Sequence, residues 1–499
     1  MLTILTHVLR NRIFLIIVSA ILLSLSFHPL GLRFLAWFAL VPLLFATQDA
    51  RASIAFKRGV VFGFVFSLMS LFWLVFLQIE ANIKIIMLFG LVLLFLYFGF
   101  YYGTSLLIAN KVGLWIFPFA VSGLEFVRGI GELGFPWLSL GYSQARSPII
   151  IQQASIYGVY GISFWLVLIN VLVYKLITLR KAKYLFSCAL VIVLPFVYGA
   201  FRMKEPNGHL ISIGVVQPNI DPNLKFTKAM REETFSRLIT LSEQCKANAS
   251  QHGDSLELII WPETATPIFI TFPGKYQEQV LQLSRRINIP IFTGTPMYDS
   301  EKREMYNGAI LIDPHVGITQ EYRKIHLVPF SEHIPFEDHI SFLRKIDVGG
   351  SHFSPGKQYT IFQAQRISFS CLICFESIFP ELSRRFVSDG AQLLINITND
   401  GWFGRISGPQ QHNDMAILRT VENGVPLVRS ANTGISMIVD RYGRISRETE
   451  LFKEEIIWNS ISAVPTQTVY QTLGDVVPVF SLILITILLF AKIFIYKNR

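Results

Sequence analysis

Residues 85–108 read Ile85-Ile-Met-Leu-Phe-Gly-Leu-Val-Leu-Leu-Phe-Leu-Tyr-Phe-Gly-Phe-Tyr-Tyr-Gly-Thr-Ser-Leu-Leu-Ile108, with no charged side chain in the run. About 20 helical residues at a rise of about 1.5 Å cross a hydrocarbon core of about 30 Å. The run is therefore a membrane span. Seven further apolar runs flank it: Ile13–Phe27, Leu32–Ala46, Val60–Ile79, Val112–Val127, Ile156–Ile177, Leu185–Phe201 and Val476–Ile495. About eight spans are expected. The first two are short, and His28-Pro29-Leu30-Gly31 reads as a hairpin between them. A cleaved signal peptide is the weaker reading of the first, because no small-x-small site follows and a second span begins at once.

Composition points the same way. Of 499 residues, 52% are hydrophobic and 16% charged, and Phe alone fills 42 positions. Soluble chains carry about 25% charged residues. So apolar a chain is not disordered, and four Cys cannot staple a disulfide scaffold. The net charge of +10 is unevenly placed: residues 1–200 hold 14 basic and 4 acidic side chains, whereas 201–491 hold 27 and 30. The excess flanks the apolar runs, so membrane lipid is the expected partner and nucleic acid is not. Lys and Arg favour the cytoplasmic side of short loops. With the N-terminus inside, 13 basic residues fall inside and four outside (Arg33, Lys84, Arg128 and Arg146). Both termini are then cytoplasmic and segment 202–475 is outside. The expected domains are 1–203 with seven spans, 204–470 as an extracytoplasmic soluble domain, and 471–499 as the last span and tail. The Gly-rich segment 128–142 reads as an outside interfacial loop, with Trp137 and Tyr142 at headgroup level.

From Ile211 the pattern becomes strands alternating with amphipathic helices. Strands are expected at Ile211–Gln217, Leu256–Trp261, Ile289–Thr293, Ala309–Ile312, Ile367–Cys374, Leu393–Thr398, Leu427–Ser430 and Ser436–Val439. Helices are expected over about 226–249 and 413–423. The alternation indicates a layered α/β fold. Three strand ends carry reactive groups: Glu263 after Trp261-Pro262, Lys324 in Tyr322-Arg323-Lys324, and Cys374 in Ser370-Cys371-Leu372-Ile373-Cys374. Ligand sites gather at such ends. A Cys nucleophile needs a base and oxyanion donors, and Glu, Lys and Cys supply those roles. Taken singly, each also has an ordinary reading as a turn carboxylate, a surface lysine or a small buried hydrophobe.

The strings Trp261-Pro262-Glu263-Thr264, Tyr322-Arg323-Lys324 with Val328-Pro329-Phe330-Ser331-Glu332, Ile373-Cys374-Phe375-Glu376, Asn399-Asp400-Gly401-Trp402-Phe403-Gly404 and Arg429-Ser430-Ala431-Asn432-Thr433-Gly434 resemble the carbon–nitrogen hydrolase (nitrilase) superfamily. With eight spans around them, the whole chain resembles the superfamily's membrane-embedded branch, the apolipoprotein N-acyltransferases. The resemblance implies a nitrilase-like αββα sandwich on the periplasmic face of a bacterial inner membrane. It implies Glu263 as base, Lys324 as electrostatic stabiliser and Cys374 as nucleophile. Glu332 and Glu376 fall on supporting positions. Phe375 stands where some relatives carry Tyr, which removes a hydroxyl. Trp261, Asn399, Trp402 and Phe403 are further supporting candidates, the aromatic pair lining or gating an acyl pocket. The implied partners are a phospholipid acyl donor, phosphatidylethanolamine foremost, and a diacylglyceryl apolipoprotein acceptor. No metal or other cofactor is required.

Other readings compete. A membrane-anchored amidase that hydrolyses its own thioester is the runner-up. Cys371-x-x-Cys374 invites a redox role, but such pairs usually open a helix, and in a strand positions i and i+3 face opposite sides. His326, His333, His339 and His352 lack zinc spacing. A Cys374–His412 dyad is a formal alternative, although His412 reads as the start of a helix. A transporter would need polar residues in spans almost bare of charge. Phe269–Tyr276 is expected to be a mobile loop reaching toward lipid.

Overall fold

The computed structural model describes residues 11–77, 81–204, 210–222, 224–337, 339–340 and 352–497, without the side chains of 81–83 and 496–497. Arg10, Arg499 and the end of the Val60–Ile79 span lie outside the described residues. The chain divides into two compact units, Met1–Met203 with Thr472–Arg499 and Lys204–Gln471.

The first unit is helical: α1 Arg12–Leu25, α2 Val41–Thr47, α3 Ala52–Ser70, α4 Ala81–Val112, α5 Phe117–Arg128, α6 Ala154–Leu179, α7 Ala182–Arg202 and the C-terminal helix Val476–Lys497. Among the described residues, five of these are long and apolar enough to cross a membrane: α3, α4, α6, α7 and the C-terminal helix. The other three expected spans form shorter pieces. The run Leu32–Ala46 breaks into a 3-10 turn, Arg33–Trp37, and α2, which opens on Val41-Pro42. Backbone groups freed by such a break need partners when no water is near. The Asn170 side chain supplies them, accepting from Leu40 N at 2.8 Å and donating to Ala36 O at 2.8 Å. Val112–Val127 likewise breaks at Gly113, whose φ of 137° only glycine adopts readily, before α5 begins.

Helices α3 and α4 pack with little space between their backbones. A Cβ at Gly59 or Gly63 would come within 2.7–2.8 Å of α4 backbone atoms, and one at Gly99 within 2.7 Å of Val60 O. Small residues at this spacing let helices associate where no hydrophobic force drives them. The Gly-rich segment after α5 exposes Ile130 and Leu133, but from Gly134 on it is packed inward, contrary to the expectation. Trp137 and Tyr142 are buried, with Trp137 stacked on Phe135 at 5.7 Å. Glu125 and Arg128 are buried too. Glu125 accepts from Leu140 N at 2.9 Å, and Arg128 lies 4.5 Å over the Phe98 ring and donates to Trp137 O at 3.2 Å. These charges hold irregular backbone in place, so the aromatics turn in with it.

The second unit holds two six-stranded sheets. The first has the order β12-β1-β2-β3-β4-β5 and the second β11-β10-β9-β8-β7-β6. Its elements are β1 Leu210–Gln217, α8 Lys228–Gln251, β2 Leu258–Ile260, α9 Lys275–Ile287, β3 Ile291–Asp299, β4 Glu304–Asp313, β5 Gly317–Arg323, β6 Ile361–Ala364, β7 Ile367–Ile373, α10 Pro380–Ser388, β8 Leu393–Thr398, α11 Gly408–Asn423, β9 Leu427–Ala431, β10 Met437–Val439, β11 Ile445–Glu448 and β12 Glu455–Ser462. The centres are parallel, β1-β2-β3 in one sheet and β7-β8-β9 in the other. Their strands are nearly continuous apolar runs, as burial on both faces requires.

The sheets face each other. Phe292 of β3 packs its ring 5.0 Å from Phe362 and 5.1 Å from Phe369 of the second sheet, and Ser430 of β9 reaches Val216 O and Ile260 O across the gap. Helices α8 and α9 cover the outer face of the first sheet around Leu238, Leu241, Val280 and Leu283. Helices α10 and α11 accompany the second. The result is the α-β-β-α layering of a nitrilase-like fold.

Four strands lie beyond those expected: β5, β6, β11 and β12. All four are the edge strands of the two sheets. Helix α9 was likewise unforeseen. It begins at Lys275 and takes in Tyr276, whose ring stacks on Phe235 at 4.5 Å. The stretch expected to reach toward lipid is therefore anchored at that end.

Candidate active site

Parallel strands deliver their C-terminal ends to one edge of the sandwich, and the three reactive residues meet there. Glu263 follows β2. Its loop crosses β3 at Gly294, where a Cβ would stand 2.7 Å from Glu263 Cα and 2.6 Å from Thr264 N. Only glycine admits that crossing. Lys324 follows β5, with its backbone N–H on Asn307 O at 2.8 Å. Cys374 follows β7 with φ of 50°, in the left-handed region. A non-glycine residue held there costs about 1–3 kcal/mol, and such strain clusters at functional sites. The turn Cys374–Ile378 then leads to α10, which opens on Pro380.

Two carboxylates converge on Lys324, whose side chain is 1% exposed. Nζ lies 2.8 Å from Glu332 and 3.8 Å from Glu263. Asn307 of β4 bridges them, its Nδ2 donating to Glu263 at 2.8 Å and to Glu332 at 2.9 Å. Glu332 also accepts from Val328 N at 2.8 Å, which fixes the loop behind the lysine. The second Glu263 oxygen accepts from Asn399 N at 2.9 Å. Glu263 is thus aimed by both sheets, since Asn399 follows β8.

Burial opposes the Lys324 ammonium, but Glu332 and Glu263 outweigh it and hold its pKa above the usual lysine range. Burial pushes the Glu263 carboxyl up, and Lys324 pulls it partly back. The Cys374 thiol, partly exposed, is also pushed up by burial and by the Glu263 charge, against the pull of Lys324. A thiol so placed does not ionise unaided. To act as a nucleophile such a thiol needs an adjacent base to take its proton.

Glu376 ties two of the strand ends together. One oxygen accepts from Tyr322 Oη at 2.7 Å, Ile325 N at 2.7 Å and His326 N at 3.1 Å; the other accepts from Ile373 N at 2.7 Å. The carboxylate thereby clamps the lysine loop to the strand that leads into Cys374. Burial, partly offset by these donors, brings its pKa up to about 7. Phe375 is buried against Phe379, with ring centroids 5.1 Å apart.

The remaining expected residues divide. Asn399 is at the site, and its side chain accepts from Asn432 at 3.0 Å. Trp402 is 40% exposed on the turn Asp400–Phe403, and Phe403 lies 6.0 Å from the His412 ring. Trp261 does not face the site. It is buried between the first sheet and α8, with Nε1 on Ser242 Oγ at 2.9 Å, because the strand's alternation turns it outward. Cys371 is fully buried and its thiol pushed well up by burial, as packing rather than redox chemistry requires.

Four residues here carry weight that sequence reasoning did not assign. Asn307 is a lone amide in an apolar strand, which was its one signal. Lys225 lies between β1 and α8, wholly buried, with Nζ 3.1 Å from Thr264 Oγ1 and 3.3 Å from Glu263 O. Burial brings its pKa down to about 7. Asp400 and Arg429 pair at 2.6 Å, fully buried beside Cys374. Cys374, Asp400 and His412 could together offer three metal-ligand atoms within 4.8 Å of one another. Asp400, however, already accepts from Arg429 and from Thr398 at 2.8 Å. A resident guanidinium suits that carboxylate better than a metal ion.

Known proteins show the same organisation. The carbon–nitrogen hydrolase profile matches residues 212–471, and that of the apolipoprotein N-acyltransferase N-terminal domain matches residues 19–172. An apolipoprotein N-acyltransferase of Geobacter metallireducens is 36% identical over 486 residues, covering 94% of this chain and 92% of that one. Its counterpart in Chlorobaculum tepidum is 32% identical over 516 residues, covering 95% of each. Among solved structures, Nit3 of Saccharomyces cerevisiae, a nitrilase-superfamily member, is 20% identical with a TM-score of 0.39, covering 53% of this chain and 94% of that one. Matched along nearly its whole length, the chain belongs to the apolipoprotein N-acyltransferase family of the carbon–nitrogen hydrolases.

Proposed function

We propose that the protein transfers an acyl chain from a membrane phospholipid to the α-amino group of an N-terminal diacylglyceryl-cysteine, through a thioester on Cys374. The observation that carries this is the convergence of Glu263 and Lys324 on Cys374 in a chain of this family that also bears lipid-compatible helices.

In the first half-reaction Cys374 Sγ attacks the ester carbonyl while Glu263 takes the thiol proton. The collapsing tetrahedral adduct releases the glycerol oxygen, which leaves as lysophospholipid with the proton from Glu263. In the second half the acceptor amine attacks the thioester. Glu263 takes the amine proton, and the sulfur departs and recovers it as the amide forms. Lys324, with backbone N–H groups, balances the oxyanion in both halves. Glu332 orients Lys324, and Asn307 holds the two carboxylates apart. Trp402 and Phe403 form the apolar lip for the acyl chain. Phosphatidylethanolamine is the expected donor. Two bulky lipids using one site in turn give ping-pong kinetics.

The Lys and Arg bias supports cytoplasmic termini and a periplasmic catalytic domain over 204–470. A reporter fused after Ala200 is expected to signal outside; a cytoplasmic signal would reject this orientation. Purified protein given phospholipid alone is expected to carry a hydroxylamine-sensitive acyl adduct on Cys374, discharged by a diacylglyceryl peptide. Free fatty acid released equally fast with and without that peptide would instead identify a hydrolase.

Lys225 supplies a further expectation. Its cation favours the ionised form of Glu263, so removing it raises the pH at which the base becomes available. Lys225→Met is expected to move the acidic limb of the kcat/KM profile to higher pH. An unmoved limb would mean that Lys225 only packs.

A further inference from the structure

His412 sits on α11, fully buried, in contact with both the nucleophile's backbone and a buried ion pair. Nε2 lies 3.0 Å from the Cys374 carbonyl oxygen and 3.1 Å from Ser377 Oγ. Nδ1 lies 3.0 Å from Asp400 Oδ1 and 2.9 Å from Arg429 Nη2. A guanidinium can only donate. The Cys374 carbonyl can only accept, so in the neutral ring the hydrogen stands on Nε2 and Nδ1 accepts from Arg429, while the Asp400 carboxylate beside Nδ1 is satisfied by Thr398 and Arg429. Burial and then Arg429 lower the His412 pKa, which favours that neutral ring. Ser377 Oγ donates to the same carbonyl at 3.0 Å.

That carbonyl belongs to the residue whose backbone is left-handed. A trans peptide points its C=O and its following N–H in opposite directions. Holding the Cys374 carbonyl on His412 therefore fixes the Phe375 N–H as well, turned away from the imidazole. Resting on the thioester reading above, we propose that His412, with its tautomer set by Arg429, is a positioning residue: it holds the Cys374 carbonyl, and with it the strained backbone that aims the nucleophile. It is not the base for the thiol.

Three variants of the full chain in lipid-containing micelles separate these roles. Gln carries an amide nitrogen to about the place of Nε2, Asn reaches only the place of Nδ1, and Leu offers neither. A misplacement of about 1 Å can cost about 100-fold in rate. His412→Leu and His412→Asn are expected to lower kcat by roughly 10- to 100-fold with KM nearly unchanged. His412→Gln is expected to stay within about threefold of the parent. Alkylation of Cys374 by iodoacetamide, which needs no lipid, is expected to slow in the Leu and Asn variants and not in Gln. If His412→Gln is as slow as His412→Leu in both assays, or if all three match the parent, the positioning role is wrong. A chain that forms no acyl adduct but keeps this alkylation pattern would instead reject the thioester reading alone. Melting temperatures within a few degrees of the parent confirm folded variants, and the Asn and Gln forms keep the comparison available if Leu does not fold.

Discussion

Cys374→Ala is expected to abolish acyl transfer, by about 10⁴-fold or more, and to leave no acyl adduct on the protein. On the proposed thioester route, removing the nucleophile removes a step rather than an interaction. Glu263→Gln is expected to fall less, by about 10²–10⁴-fold, the usual worth of a positioned general base. Gln keeps the size of the side chain but, with one acceptor oxygen, only one of the contacts to Asn307 and Asn399, and it cannot accept the thiol proton. Because the Cys374 thiol is pushed up by burial and by Glu263, it has little thiolate of its own to fall back on. Single-turnover acylation followed by mass spectrometry checks both variants. Transfer persisting in Cys374→Ala would sink the covalent mechanism, and an unchanged acylation rate in Glu263→Gln would reassign the base.

The second large effect concerns Glu376, whose two oxygens accept from four protein donors. Glu376→Ala strands four donors, Tyr322 Oη and the N–H groups of Ile325, His326 and Ile373, in a buried site. Each unsatisfied buried donor costs about 1–3 kcal/mol. A loss above about 3 kcal/mol is expected, seen as a fall of roughly 10 °C in melting temperature, with activity lost as the lysine loop and the nucleophile separate. Glu376→Gln separates charge from shape. The native carboxyl has its pKa raised to about 7 from the usual 4.5, so the folded state holds its proton over a range where the unfolded chain has lost it. The associated stability is full below about pH 4.5 and is lost as pH rises through about 7. The stability gap between the parent and Glu376→Gln is therefore expected to narrow from pH 5 to pH 8. A gap that widens over that range would overturn the assignment.

The two halves of the molecule were not equally legible. The central strands announce themselves because burial on both faces favours apolar residues, as in Leu393–Thr398, where expected and observed bounds coincide. Edge strands such as Gly317–Arg323 alternate with solvent and look like loops. In the helical unit, hydropathy marks which residues are apolar but not whether one helix carries them. Leu32–Ala46 reads as continuous, yet its backbone breaks, because Asn170, some 130 positions away, satisfies the freed groups. Trp137 and Tyr142 read as interfacial, yet the buried Glu125 and Arg128 draw their loop inward.

The site divides in the same way. Glu263 and Cys374 stand out in the chain because each is a reactive group where an apolar strand stops, whereas Lys324 follows the polar edge strand Gly317–Arg323 and is marked by its motif. What the strands bring to them depends on pairing and on packing between sheets. Asn307 bridges Glu263 and Glu332 only because β4 lies beside β3 and β5. Lys225 reaches Glu263 only because the segment after β1 passes behind it. His412 and Arg429 meet under Cys374 only because α11 and β9 converge on the end of β7. Strand ends are local events and are written in sequence. Desolvation, tautomer and backbone strain arise between residues far apart in the chain, and these only the tertiary structure decided.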